Sequence, residues 1–201
     1  SSFPVSVACT GSDNIVLPPI NTSIVLDSAT QGSVLIAPVI SSGSCTVTET
    51  SRTTAPANYL WVENPLPSAS TNMAAPPDVA SVTLTNTLAR ANNDITISKT
   101  VSGGPTAGVS GVFNFTANCG ADGTYSAAVV LNSASTGAIA ITNVPQGASC
   151  TVSEDVARPA PPPSYAWSVA LPPDVSLVTS GGGNVAAFVN TLTRTEPLVA
   201  A

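Results

Sequence analysis

One lysine, one glutamate and one asparagine of this chain stand where buried side chains are expected. Lys99 is the only lysine and continues the alternation of Ile95 and Ile97. Glu154 ends a Cys-x-Val-x-Glu run, and Asn190 lies within a Phe-x-Asn-x-Leu run. Because alternate residues of a β-strand share a face, all three polar side chains are predicted to point into a core. An isolated buried charge is costly, so these groups must compensate one another.

Two kinds of chemistry fit this set. Burial should lower the pKa of Lys99 and leave a nucleophilic amine. A neutral Glu154 could then donate a hydrogen bond to the carboxamide oxygen of Asn190 and transfer protons as ammonia leaves. The product would be an isopeptide bond, formed once per molecule because the groups are held in contact. The alternatives are a buried Lys–Glu ion pair beside the asparagine, or a lysine that extends to the surface.

The four cysteines are predicted to form two disulfides. The same alternation gives each half of the chain two inward-facing cysteines, which predicts the pairs Cys9–Cys45 and Cys119–Cys150. Each bond should stabilise its fold by about 3–4 kcal/mol. A tetrathiolate metal site or a reactive thiol pair would need CxxC-type spacing, which is missing. Paired cysteines indicate an oxidising compartment.

The composition excludes several classes of function. Only 8% of the residues are charged, the net charge is -6, and histidine is absent. The chain has too few cations to bind nucleic acid, and it can form neither a histidine metal site nor a histidine general base. No apolar run is long enough to span a membrane. Since enzyme motifs such as a nucleophile elbow or a phosphate-binding loop are also missing, we expect neither an enzyme nor a cofactor.

The sequence is an internal repeat. Residues 24–49 align without a gap on residues 129–154, and the motifs Cys-Thr-Val-x-Glu, Tyr-x-Trp and Asn-Thr-Leu-x-Arg recur in the same order. Duplication predicts two domains, residues 1–91 and residues 92–201. In the second copy, about seven short alternating segments between Gly, Pro and Asn residues predict a β-sandwich. The first copy should have the same strands except the opening one, whose counterpart would precede residue 1.

The second copy resembles the collagen-adhesin B-type (Cna B-like) domains of backbone pilins and surface adhesins of Gram-positive bacteria. The resemblance rests on Lys99 at the end of the first strand, on Glu154 before a proline-rich loop and Tyr165, and on Asn190 in the last strand. It covers the whole second copy and the first copy without its opening strand. It implies Ig-like sandwich domains and an isopeptide bond between the lysine and the asparagine, assisted by the glutamate. The cysteine pair in each copy departs from many members of that family.

The first copy lacks the lysine but keeps Glu49 and Asn86 at the equivalent positions. Two explanations stay open: an upstream strand carries the lysine, or another subunit supplies the strand. The apolar tail at residues 196–201 could add as a strand to a neighbouring molecule. It could equally be a frayed terminus.

These observations predict a structural module of an extracellular surface filament or adhesin stalk, with copies of itself or neighbouring repeats as partners. The alternative is an adhesin domain that binds a host glycan or protein. Trp61 and Trp167 could form a sugar platform, although their matched positions favour core packing. Three aspartates in predicted loops could bind calcium, without a spacing that singles out a site: Asp13, Asp122 and Asp155.

Overall fold

The chain folds into two all-β units. The computed structural model describes residues 1–26, 30–37, 42–73, 79–106 and 108–195. Two compact units divide the chain, Ser1–Ala89 (unit 1) and Arg90–Ala201 (unit 2). The described residues form β-strands and one short 3-10 turn, which confirms the predicted all-β class. None of the helical segments among them is long and apolar enough to cross a bilayer.

The described part of unit 1 contains one four-stranded sheet and one strand pair. Its strands are β1 (Ser2–Gly11), β2 (Ile20–Val25), β3 (Gly43–Glu49), β4 (Tyr59–Trp61), β5 (Ser68–Asn72) and β6 (Leu88–Arg90), whose last residue falls at the start of unit 2. The sheet has the order β2-β1-β3-β5 with antiparallel pairing throughout, and β4 pairs with β6.

Unit 2, over its described residues, is a sandwich of two four-stranded sheets. Its strands are β7 (Asn92–Ser102), β8 (Val109–Asn118), β9 (Thr124–Ala134), β10 (Thr136–Pro145), β11 (Ser149–Glu154), β12 (Tyr165–Trp167), β13 (Val175–Val178) and β14 (Val185–Arg194). The sheets have the orders β13-β11-β8-β9 and β10-β7-β14-β12. Strands β7 and β14 are parallel neighbours, whereas the other paired strands are antiparallel.

The core of unit 2 lies between the two sheets and follows the alternation of the sequence. Ile95 and Ile97 of β7 are buried against Phe113 and Phe115 of β8 in one apolar cluster. The residues between them on each strand are more exposed. Burying one such side chain contributes about 1.5–3 kcal/mol, which fixes the face that each strand turns inward. The predicted sandwich is therefore confirmed.

Unit 1 lacks more of the second sheet than the sequence predicts. No strand in its described part takes the place of β7, as expected. The prediction that all other strands are kept is wrong, because residues 31–37 and 81–87, the counterparts of parts of β10 and β14, form no strand. The reason is pairing: in unit 2 both β10 and β14 form hydrogen bonds with β7. Without a strand equivalent to β7, residues 31–37 and 81–87 have no partner for these backbone hydrogen bonds.

Candidate functional site

The side chains of Lys99, Glu154 and Asn190 meet in the core of unit 2. Lys99 lies on β7 and Asn190 on the parallel neighbour β14, while Glu154 ends β11 in the facing sheet. Lys99 Nζ donates to Glu154 Oε2 at 2.7 Å, and Asn190 Nδ2 donates to Glu154 Oε1 at 2.6 Å. One carboxyl group therefore bridges the amine and the carboxamide.

All three residues are removed from solvent. Lys99 is 0% exposed, Asn190 2% and Glu154 7%, in line with their alternation with core residues. The alternative of a lysine that extends to the surface is therefore wrong. The contacts are those of a buried ion pair beside an asparagine, and they also bring the nucleophile and the carboxamide of an amide-forming reaction to one carboxyl group.

Aromatic rings of the facing sheet surround the amine. Lys99 Nζ lies 4.7 Å from the ring centroid of Phe113 and 5.9 Å from that of Phe115. Phe115 in turn packs on Phe188 of β14, with their centroids 5.0 Å apart. The ring faces attract a cation weakly, but as a wall they exclude the water that would hydrate it.

This burial changes the proton affinity of the amine. Removal from water lowers the pKa of Lys99 below its ordinary value, and the nearby charge of Arg158 adds to the lowering. The hydrogen bond and the negative charge of Glu154 raise the pKa of Lys99 but do not outweigh the loss of hydration. The site therefore favours the neutral, nucleophilic amine more than water does.

The carboxamide of Asn190 has the opposite orientation to the one predicted. We expected its oxygen to accept a hydrogen bond from Glu154, but its nitrogen donates to the carboxylate instead. The oxygen, Asn190 Oδ1, is buried and has no hydrogen-bond partner among the described residues. This orientation places Glu154 beside the atom that would leave as ammonia.

Unit 1 contains the same Glu–Asn pair with a different cation. Asn86 Nδ2 donates to Glu49 Oε2 at 2.6 Å, and Arg52 Nε donates to Glu49 Oε1 at 3.0 Å. Arg52 also contacts Glu63 at 3.4 Å. In unit 1 the Arg52 guanidinium thus contacts the glutamate oxygen that the asparagine leaves free, as the Lys99 amine does in unit 2.

Sequence reasoning missed Arg52, although a signal was present. Arg52 and Arg158 stand at the same spacing before Trp61 and Trp167, and each guanidinium lies 5.7 Å from the ring of its tryptophan. In unit 2 the arginine donates to the backbone oxygen of Ser168 at 2.9 Å instead of bonding the buried glutamate. The equivalent arginines therefore have different partners in the two units.

Both predicted disulfides are present. Cys9–Cys45 links β1 to β3, and Cys119–Cys150 links the residue that directly follows β8 to β11. These are the two central strands of one sheet in each unit. Each bond thus fixes the register of that pair.

The tryptophan of each unit packs against a buried phenylalanine. Trp61 meets the edge of Phe3, and Trp167 meets the edge of Phe113, with centroids 5.8 Å apart in each case. Their indole nitrogens donate to backbone oxygens, at 2.9 Å in unit 1 and 2.7 Å in unit 2. This agrees with the preferred prediction of core packing over a sugar platform.

The remaining predicted features give no site. The described residues contain no cluster of acidic, cysteine or histidine side chains able to hold a metal ion, so the loop aspartates are not brought together. The tail at residues 196–201, predicted as a possible donated strand, lies outside the described residues.

Comparison with known proteins gives a family and no curated relative. No curated protein sequence matches this chain. The family described as "Domain of unknown function (DUF5979)" matches the chain twice, over residues 1–89 and again over residues 95–193. The two matches coincide with the internal repeat and cover most of the sequence, so the chain belongs to the DUF5979 family.

Proposed function

We propose that this chain is a structural module of an extracellular surface filament or adhesin stalk, and that an isopeptide bond between Lys99 and Asn190 closes unit 2. The observation that carries the proposal is the single buried carboxyl group in contact with both reacting nitrogen atoms. An ion pair alone would not need the asparagine at the same carboxyl group.

The geometry supports a balanced reaction. Glu154 Oε2 accepts a proton from the Lys99 ammonium, and the neutral amine attacks Cγ of Asn190. The new Nζ–Cγ bond forms as the Cγ–Nδ2 bond breaks, and Glu154 transfers protons from the attacking nitrogen to the leaving one. Ammonia departs and the glutamate ends as a neutral acid, so that no external reagent is consumed.

The position of the bond supports a mechanical role. β7 is the first strand of unit 2 and β14 the last, and they are parallel neighbours. A pull on the two ends of the unit slides these strands past each other. A covalent bond between them carries the load directly and bypasses the strands in between.

Two further features support an extracellular stalk. Two disulfides in one small chain are typical of oxidising, extracellular environments. The resemblance to Cna B-like domains also supports the proposal, because Lys99 lies on the first strand of unit 2, Glu154 ends β11 and Asn190 lies on the last strand.

Intact mass under reducing conditions tests the bond. The chain should weigh one ammonia less than its sequence requires, and Lys99→Ala or Glu154→Gln should restore the full mass. Glu49→Gln, the matched change in unit 1, should keep the deficit. Full mass in the unaltered chain would overturn the isopeptide.

A further inference from the structure

We propose that Arg158 is a positioning residue for amide formation in unit 2, and that it acts on the Lys99 amine through Trp167 and Phe113 and through its own charge. The inference deepens the proposed function and rests on it. The guanidinium of Arg158 donates to a backbone oxygen and not to Glu154, so its effect on the reaction passes through its neighbours.

The proline-rich loop that follows Glu154 (residues 155–164) is fastened to Trp167 by two of its residues. Arg158 Nη1 donates to the backbone oxygen of Ser168 at 2.9 Å, and the guanidinium carbon lies 5.7 Å from the ring centroid of Trp167. The indole nitrogen of Trp167 donates to the backbone oxygen of Pro159 at 2.7 Å. Arg158 and Pro159 therefore hold the loop and the indole ring together.

Strand β8 makes room for this loop at a glycine. A Cβ atom added at Gly111 would collide with the ring of Pro159. Gly111 stands two residues before Phe113 on β8. The loop thus packs directly on the strand that supplies the aromatic wall around the amine.

Ring contacts continue from Trp167 to the amine. Trp167 meets the edge of Phe113 with the ring centroids 5.8 Å apart, and the centroid of Phe113 lies 4.7 Å from Lys99 Nζ. Phe113 is 1% exposed and Lys99 is 0% exposed, so neither side chain can shift without displacing its neighbours. Because reacting atoms must be placed to within a fraction of an ångström, a fixed Phe113 ring favours the productive position of the amine.

The charge of Arg158 has a second effect on the amine. Burial lowers the pKa of Lys99 most, the charge of Arg158 lowers it further, and Glu154 raises it. The groups that β8 turns toward the amine are the uncharged rings of Phe113 and Phe115. Without the positive charge at position 158 the lysine should keep its proton to higher pH. The reaction, which needs that proton on Glu154, should then slow at higher pH than in the unaltered chain.

Unit 1 repeats this arrangement of arginine, tryptophan and phenylalanine. The guanidinium carbon of Arg52 lies 5.7 Å from the ring centroid of Trp61, whose indole nitrogen donates to the backbone oxygen of Thr53 at 2.9 Å. Trp61 meets the edge of Phe3 with the centroids 5.8 Å apart. The recurrence indicates a feature of the domain, and it gives a matched control outside unit 2.

Rates of ammonia loss during refolding, measured by mass over a series of pH values, test the proposal. Arg158→Met removes the charge and the hydrogen bond, so the rate near neutral pH should fall about tenfold. Its alkaline decline should also begin at higher pH than in the unaltered chain. Arg158→Lys restores the charge and should return the alkaline decline to its original pH. Arg52→Met should change neither the rate nor its pH dependence in unit 2.

Two results would overturn the inference. One is an unaltered rate in Arg158→Met, whatever its loss of stability. The other is a slower rate whose alkaline decline stays at the original pH, because a general weakening of the fold slows the reaction at every pH. Full mass in the unaltered chain would instead contradict the proposed function itself, so the two failures are distinguishable.

Discussion

The two units hold the same Glu–Asn pair at the same distance but give it different cations. In unit 2 the lysine amine and the asparagine share Glu154, and in unit 1 a guanidinium and the asparagine share Glu49. Only the amine can act as a nucleophile, since arginine remains protonated. The comparison shows that the Glu–Asn half of the site forms without a lysine, and the proposed chemistry of unit 2 depends on the lysine that β7 supplies.

Pulling on single molecules under reducing conditions should separate the units most clearly. Unit 1 should extend when it unfolds, whereas unit 2 should not release the segment between Lys99 and Asn190. In Asn190→Ala, that segment should add about 300 Å, at roughly 3.3 Å per extended residue. Asn86→Ala, the matched change, should leave the extension of unit 1 as it was. Full extension of the unaltered unit 2 would contradict a load-bearing bond.

Removing the arginines should sharpen the difference between the two cations. Arg52→Ala leaves the buried Glu49 without its ion pair and should lower the free energy of unfolding of unit 1 by about 3 kcal/mol. Arg158→Ala removes a hydrogen bond to a backbone oxygen and should cost unit 2 about 1 kcal/mol. Urea unfolding can follow the units separately, through Trp61 in a Trp167→Phe chain and through Trp167 in a Trp61→Phe chain. Equal losses would mean that Arg52 does not replace the lysine.

The rate of amide formation in unit 2 should fall at alkaline pH. The reactive pair, neutral amine with neutral acid, has the same number of protons as the ion pair, so the rate is level where the ion pair dominates. At alkaline pH the lysine loses its proton without passing it to Glu154, and the rate should fall about tenfold per pH unit. Because burial lowers the Lys99 pKa, the alkaline limb should begin below 10.5.

Mass measurements at timed intervals during refolding would give this profile. A rate that keeps rising with pH up to the ordinary pKa of lysine would contradict proton transfer through Glu154.

Strand alternation made the contents of the site predictable. Lys99, Glu154 and Asn190 each alternate with core residues, and the cysteines do the same, so their inward direction follows from the period of a strand. The loss of strand structure at residues 31–37 and 81–87 did not follow, because it depends on pairing with a strand that is distant in sequence. Sequence reasoning also missed β13, whose four residues are too few for a clear alternation.

The partners within the site were harder to predict than its members. Arg52 lies in a loop without strand periodicity, so nothing in the local pattern directs it to Glu49. The orientation of the Asn190 carboxamide depends on whether Glu154 meets it as a carboxylate, which accepts from the amide nitrogen, or as a neutral acid, which donates to the amide oxygen. Such choices depend on contacts between strands, which alternation along one strand does not determine.

The placement of the disulfides determines how each unit would fail under a thiol reductant. In unit 2 the Cys119–Cys150 bond lies in one sheet, and the proposed amide joins β7 to β14 in the other. A reductant would open only the first of these two cross-links, so unit 2 would keep the proposed amide under reducing conditions. Residues 1–89 contain the Cys9–Cys45 bond and no lysine. A reductant would therefore open the one covalent cross-link seen in the described part of unit 1, and the stability of that part depends on the redox state of its surroundings.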